Sequence, residues 1–484
     1  MTINKAKEKI STYKKPFLIL TIIFLIGIYP IIRANYNYID DIGRVAHGYK
    51  GWENFSRYIS CFLSNFIHAD SYLTDISPLP QIIAIILLSI SGLIILHALS
   101  KKKTYTPLEL ISIIPLGLSP YFLECLSYKY DSPYMALSVL ASLIPIIFYN
   151  KKETKYLITI IISTLIVCMT YQASSGIFPM IVIIISFNNW LEKKNTKDIL
   201  KKLLTSISGY LIGLIIFKTM IMHPVDTYVS NSIPELTKLF PTIFNNLTTY
   251  FNYIITDFKI EWLILIGFLL LGYIYTSINN SKQNILPSII FSITTIILML
   301  LLSFGMYTVL ETPGFHPRAM YGFGVFITLI GSSIMLRKKE YIQKLVYLLL
   351  CWFFFVFSFT YGNSLYIQKE YTTYRTNLVL NDLKNIKAMM DDTTTNIQIT
   401  GTIGLAPVIK NMPQDYKILN RLIPITFCNS TYMWGISEFE NYYNIKNINW
   451  DNDINTKKDD LPLIQDTMYH TIKGNERDLL IILK

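Results

Sequence analysis

Charge is what this chain of 484 residues has least of: Asp, Glu, Lys and Arg make up only 15% of it. A soluble domain carries about 25%. With 52% hydrophobic residues and a mean hydropathy of +0.39, that shortage excludes an ordinary soluble globular protein. Cysteine is also scarce, and the five present fit no metal-ligand spacing, which excludes zinc ribbons and similar frames. Cys168 and Cys351 fall in apolar runs; Cys61, Cys125 and Cys428 fall outside them, where one disulfide has room but is not required. Gly-rich phosphate loops, dinucleotide fingerprints, Ser-His-Asp patterns, repeats and low-complexity tracts are all missing. No small-x-small cleavage site follows the first apolar run, so it reads as a retained anchor and not a signal peptide.

Long apolar runs are what the chain does have. A helix needs about 20 apolar residues to cross the hydrocarbon, and about eleven segments meet that need. They lie near 17–33, 82–99, 107–124, 132–149, 156–171, 176–189, 203–222, 262–278, 285–305, 319–336 and 342–360. Backbone groups in lipid must be satisfied within the segment, so the expected fold is an all-α polytopic membrane bundle. Basic clusters set its orientation: Lys5–Lys15, Lys101–Lys103, Lys151–Lys155, Lys193–Lys202 and Arg337–Lys344 all fall on one side of an eleven-span chain. That side is expected to be cytoplasmic. The net charge of +11 is then topological, and no nucleic-acid partner is expected.

The other side holds the long polar connections. The first loop spans 34–80, a second 223–261, and the tail 362–484 is long enough for a small domain beyond the membrane region 1–361. Asn396–Thr400 and Leu479–Leu483 pattern as strands and Tyr371–Met390 as an amphipathic helix, so the tail reads as a small extracytoplasmic α/β unit. In the first loop Phe55, Tyr58, Ile59, Phe62, Leu63, Phe66 and Ile67 recur at helical spacing opposite Arg57, Ser60 and Ser64. Such a helix lies flat in the membrane interface.

The residues suited to chemistry gather at this same rim. In Ile39-Asp-Asp-Ile-Gly-Arg-Val-Ala-His-Gly-Tyr49, helical spacing puts Asp40, Arg44 and His47 on one face, Asp41 at its edge, and the apolar residues opposite. An exposed Asp40–Arg44 ion pair is the plain reading. The sharper one makes Asp40 or Asp41 a general base for an acceptor hydroxyl, Asp40 first, because adjacent acids at an interface are costly without a task. Glu124, Lys129 and Asp131 form a second cluster, where Glu124 needs a partner and a polar turn accounts for Lys129. Tyr171 and Gln172 can hydrogen-bond a sugar. In Glu311-Thr-Pro-Gly-Phe-His-Pro-Arg-Ala-Met-Tyr321, the prolines and glycine aim His316 and Arg318 at the outer mouth. Arg318 suits a lipid phosphate, against the plain alternative of a snorkelling arginine. His47 and His316 are too scattered for a metal site, and no cofactor is expected. Cytoplasmic loops this short hold no nucleotide-sugar site, so an activated donor must be membrane-borne.

Three blocks carry a resemblance: Asn37-Tyr-Ile-Asp-Asp-Ile-Gly-Arg44, Gly48-Tyr-Lys-Gly-Trp52 and Asp75-Ile-Ser-Pro-Leu-Pro-Gln81. With Tyr128–Ser138, Tyr171-Gln-Ala-Ser174 and Pro317-Arg318, the chain resembles the serotype-converting O-antigen glucosyltransferases, phage- or island-encoded enzymes of the GT-C superfamily. The likeness covers the membrane part and reaches the tail only loosely. It implies a GT-C-like fold in a bacterial inner membrane, and a glucose donor linked through one phosphate to undecaprenol. The implied acceptor is an O-antigen sugar on the periplasmic side. It implies Asp40 or Asp41 as base, Arg44 and Arg318 at the donor phosphate, and inversion at the anomeric centre. His47, Asp75, Glu124, Asp131, Tyr171, Gln172 and His316 then line the substrate site. A partner flippase and a donor-making glucosyltransferase would supply the substrate. The alternatives are a flippase for lipid-linked sugars, which calls for polar residues at mid-membrane that these spans lack, an O-antigen polymerase, and a non-catalytic scaffold.

Overall fold

The computed structural model describes residues 3–102, 104–224, 232–388, 395–412, 416–425, 448–450, 453–457, 459–475 and 477–484. Its helices in chain order begin with α1 (Ile3–Ala34), α2 (Asp40–His47), α3 (Tyr58–Ile67), α4 (Leu79–Ser100), α5 (Pro107–Ile111), α6 (Ile114–Leu118) and α7 (Pro120–Ser127). They continue with α8 (Ser132–Ile147), α9 (Glu153–Thr170), α10 (Ile177–Leu191), α11 (Thr196–Ile216), α12 (Leu236–Asp257), α13 (Ile260–Asn279) and α14 (Ile285–Leu302). Then come α15 (Pro317–Met320), α16 (Gly322–Met335) and α17 (Tyr341–Ala388).

Among the described residues nine helices are long and apolar enough to cross a membrane, or ten if the bent Pro107–Ser127 pair is one crossing. The chain is therefore a multi-pass membrane protein. All eleven expected segments are helical; the one at 132–149 is α8, a shorter apolar helix of sixteen residues. The bend of 64° sits where Ser119 is extended before Pro120, as a residue preceding proline prefers. α1 and α17 meet closely at Gly362, where a Cβ would come within 2.6 Å of the Pro30 and Ile31 backbone; small residues permit such contacts between membrane helices.

The basic clusters meet at one end of the bundle, where Glu192 feels both Lys101 and Arg337 and Lys202 pairs with Glu153. The first loop lies at the other end. There α3 exposes Phe62 and Phe66, at 60% and 69%, and turns Ser60 and Ser64 inward, as an interfacial helix does. The second loop holds another such helix, α12, which exposes Leu236, Phe240 and Phe244 one turn apart. Cys61 and Cys125 are unpaired: the Cys61 thiol meets Glu53 and Cys125 is buried in α7. Cys428 lies outside the described residues.

The amphipathic stretch expected as a helix at Tyr371–Met390 is helical through Ala388, as the end of a longer element: α17 runs unbroken through residue 362 for 48 residues, about 72 Å at 1.5 Å per residue. Beyond it β1 (Thr395–Thr400), β2 (Ile448–Trp450), β3 (Leu463–Asp466), β4 (His470–Gly474) and β5 (Asp478–Leu483) form one sheet, ordered β2-β1-β5-β4-β3. β1 is parallel to both neighbours, and β3–β4–β5 is an antiparallel meander. Arg375 of α17 ties helix to sheet, donating to the Tyr469 and Lys484 carbonyls at 2.7 Å. The Pro407–Asn411 and Leu419–Leu422 turns pack instead against the hydrophobic core of the bundle, through Ile409, Leu419 and Leu422.

Candidate functional site

Short α2 opens on a backbone outlier. Ile39 sits at φ 48°, a region β-branched residues avoid, and Asp41 secures the turn. Its Oδ2 accepts the N–H groups of Tyr38 at 3.1 Å and Lys129 at 2.9 Å. Asp41 is fully buried, and its Oδ1 has no partner among the described residues. Burial pushes its pKa up to about 7 against the opposing pull of the Lys129 N–H and the Arg44 cation. Helical spacing placed Asp41 at the edge of a wet face; contact with Lys129 covers it.

Arg44 is also buried, and its ion pair is with Asp131 and not Asp40. Asp131 accepts in addition the Trp52 indole N–H at 2.5 Å, and the guanidinium lies over the Trp52 ring at 4.8 Å. Asp40 stays half-buried, and its carboxylate forms no hydrogen bond or ion pair among the described residues. It lies close enough to Tyr128 and Arg44 to act on both electrostatically. His47 is exposed at the end of α2.

The α7–α8 turn is the hub. Glu124 is buried, and its Oε2 accepts the Arg318 backbone N–H at 2.5 Å while Oε1 takes the guanidinium at 2.8 Å. That guanidinium lies over Tyr128 at 5.3 Å. The Tyr128 hydroxyl is buried with no partner among the described residues, and burial holds its pKa well above the usual value, so it remains a proton donor. Lys129 donates to Asn37 at 2.7 Å and to Asp75 at 3.0 Å. Burial alone would raise the Asp75 pKa, but Lys129 and Ser77 outweigh it and hold it low.

From the next connection, the Tyr171 hydroxyl donates to the Arg318 carbonyl at 3.2 Å. Gln172 accepts from Arg57 at 3.0 Å, and the Arg57 guanidinium covers the Tyr171 ring at 4.7 Å. His316 shows an exposed edge, yet dehydration by its surroundings and the cations of Arg318 and Arg421 push its pKa down to about 4. Arg421 reaches the site from the tail: it pairs with Asp257, donates to the Phe315 carbonyl and lies 4.0 Å over Tyr253.

The structure thus joins Asp41, Asp75, Glu124, Asp131, Tyr171, Gln172 and Arg318 in one network, with Asp40 beside it and His47 exposed at the end of α2. Sequence reasoning missed Tyr128, Arg57, Trp52 and Arg421 and gave Lys129 no role beyond the turn. A tyrosine between Ser127 and Lys129 in a short rim loop was a faint signal; Arg421, far off in the tail, offered none. No group of three or more His, Cys, Asp or Glu suited to a metal occurs among the described residues.

Residues 29–329 match the model of a family described as glucosyl transferase GtrII. The chain is also 23% identical over 436 residues, 87% of each protein, to an uncharacterized 55.3 kDa protein of the gtrB 5′ region in Salmonella phage P22. No solved structure matches.

Proposed function

The chain belongs to the glucosyl transferase GtrII family, and from that premise we propose that it moves glucose from undecaprenyl-phosphate-glucose to a sugar of the O-antigen. The transfer takes place on the periplasmic face of the bacterial inner membrane and alters serotype. The observation that carries this reading is the acidic and basic network at the first-loop end of the bundle, opposite the lysine clusters. A relative encoded beside gtrB in a Salmonella phage agrees with it.

Asp40 is the base, being half-buried with a carboxylate unengaged by hydrogen bonds among the described residues; a base must first reach its proton, and its pKa matters second. As the acceptor oxygen forms its bond to glucose C1, its proton passes to Asp40 and the bond from C1 to the phosphate oxygen breaks. Undecaprenyl phosphate leaves, and Arg318, oriented by Glu124 and Tyr171, offsets the charge that grows on it. One displacement inverts C1, so a β-linked donor yields an α-glucoside. Arg44 supports the site through Asp131 and adds positive potential. Residues 1–361 form the membrane catalytic part and 362–484 a periplasmic part, with a flippase and a donor-making glucosyltransferase as partners.

The test is chemical analysis of the host O-antigen with and without the protein: added glucose supports the reading, and an unchanged glycan overturns it. A periplasm-dependent reporter fused after Lys484 should be active.

A further inference from the structure

A cavity of about 220 Å³ opens beside the network, between the mouth ends of α1, α4 and α17 and the α7–α8 turn. Its polar lining is Asn35, Tyr36, Ser77, Gln81, Ser127 and Lys129; the rest is aliphatic. Sites for drug-sized ligands run to about 300–1,000 Å³, so this one suits a single sugar ring.

Its chemistry is that of a site for an uncharged polyol. Gln81 is 3% exposed, yet its Oε1 meets no donor among the described residues, and a buried acceptor of that kind favours a hydroxyl that can donate to it. The buried Lys129 ammonium has three donors, of which Asn37 and Asp75 take two. Asp75 also matches its charge at 3.0 Å. A phosphate would call for an unmatched cation, and a prenyl chain would strand the Gln81 amide. Hydroxyls both donate and accept, as this lining requires.

Tyr128 is extended at φ −72° and ψ 112°. Successive side chains of extended backbone point to opposite sides, so Ser127 and Lys129 face the cavity while Tyr128 faces Arg318. One sugar ring does not touch both. Building on the transferase reading, we propose that this cavity is a saccharide subsite for one uncharged hexopyranose of the acceptor glycan, a neighbour of the unit that is glucosylated. Gln81 accepts from one of its hydroxyls and Lys129 donates to another.

The test is saturation-transfer NMR on the full-length protein in nanodiscs with methyl glucoside, mannoside, galactoside and rhamnoside as probes. At least one should bind saturably. Gln81→Met should weaken that binding at least tenfold, and Ile32→Trp, which fills the cavity from a half-buried wall, should remove it. Asp40→Asn should bind as the unaltered protein does, so failure of the transferase reading alone would leave glycoside binding intact. The proposal is overturned if no glycoside binds, if both cavity variants bind unchanged, or if inorganic phosphate displaces the glycoside.

Discussion

Glu124 holds Arg318 twice, accepting its backbone N–H with one carboxylate oxygen and its guanidinium with the other. The two residues are 194 positions apart, so the acid within α7 sets both the position of the Pro317–Met320 turn and the direction of its cation.

Arg318→Ala should therefore reduce transfer by roughly 10²-fold, as loss of one preorganised charge donor does. Arg318→Lys should recover only part, because a point charge lacks the fork. Kinetics with purified donor check this; unchanged donor use would reduce Arg318 to a membrane anchor.

Asp40→Asn should abolish glucose transfer while the protein still reaches the membrane at normal level. Glycan analysis and membrane immunoblotting together read the outcome. Full activity in that variant would take the base role away from Asp40.

Asp41 gives a pH signature. Its folded pKa, about 7, lies above the 3.8 of the free group. Its contribution to stability is thus fully present below 3.8 and is lost as pH rises through about 7. Lowering the pH from 8 to 5 should raise the melting temperature of the unaltered protein more than that of Asp41→Asn. Parallel curves for the two would remove Asp41 as the cause.

Arg44→Met leaves the buried Asp131 without its cation and should cost about 3–5 kcal/mol. Arg44→Met with Asp131→Leu should recover most of that stability. Melting temperatures in one detergent compare them; equal loss in the single and double variants would deny the coupling.

The bundle was legible because hydropathy acts segment by segment: each of the eleven apolar runs is helical, the third as the pieces α5, α6 and α7, and β1 and β5 fall where the sequence patterns as strands. The continuity of α17 through residue 362 was hidden because the apolar run ends near 360, while the contact of Gly362 with Pro30 depends on a helix more than 300 residues away. Within the site, the acids were legible from their cost at an interface, but their partners were not. Helical spacing pairs Asp40 with Arg44, whereas Asp131, 87 residues on, takes that guanidinium. Asp41 is covered through Lys129, 88 residues on, a distance that periodicity does not see.

The unbroken α17 makes the tail sheet a lever keyed to the last span. Each residue of a helix turns about 100° and climbs 1.5 Å. A single residue inserted near Tyr366 would swing Arg375, and the strands it grips, a quarter-turn or more around the axis. The Leu419–Leu422 turn, lodged in the bundle core, would have to tear out or follow. Three or four inserted residues would nearly restore the angle at a modest rise, so the phase of one helix, more than its length, dictates how the tail meets the mouth.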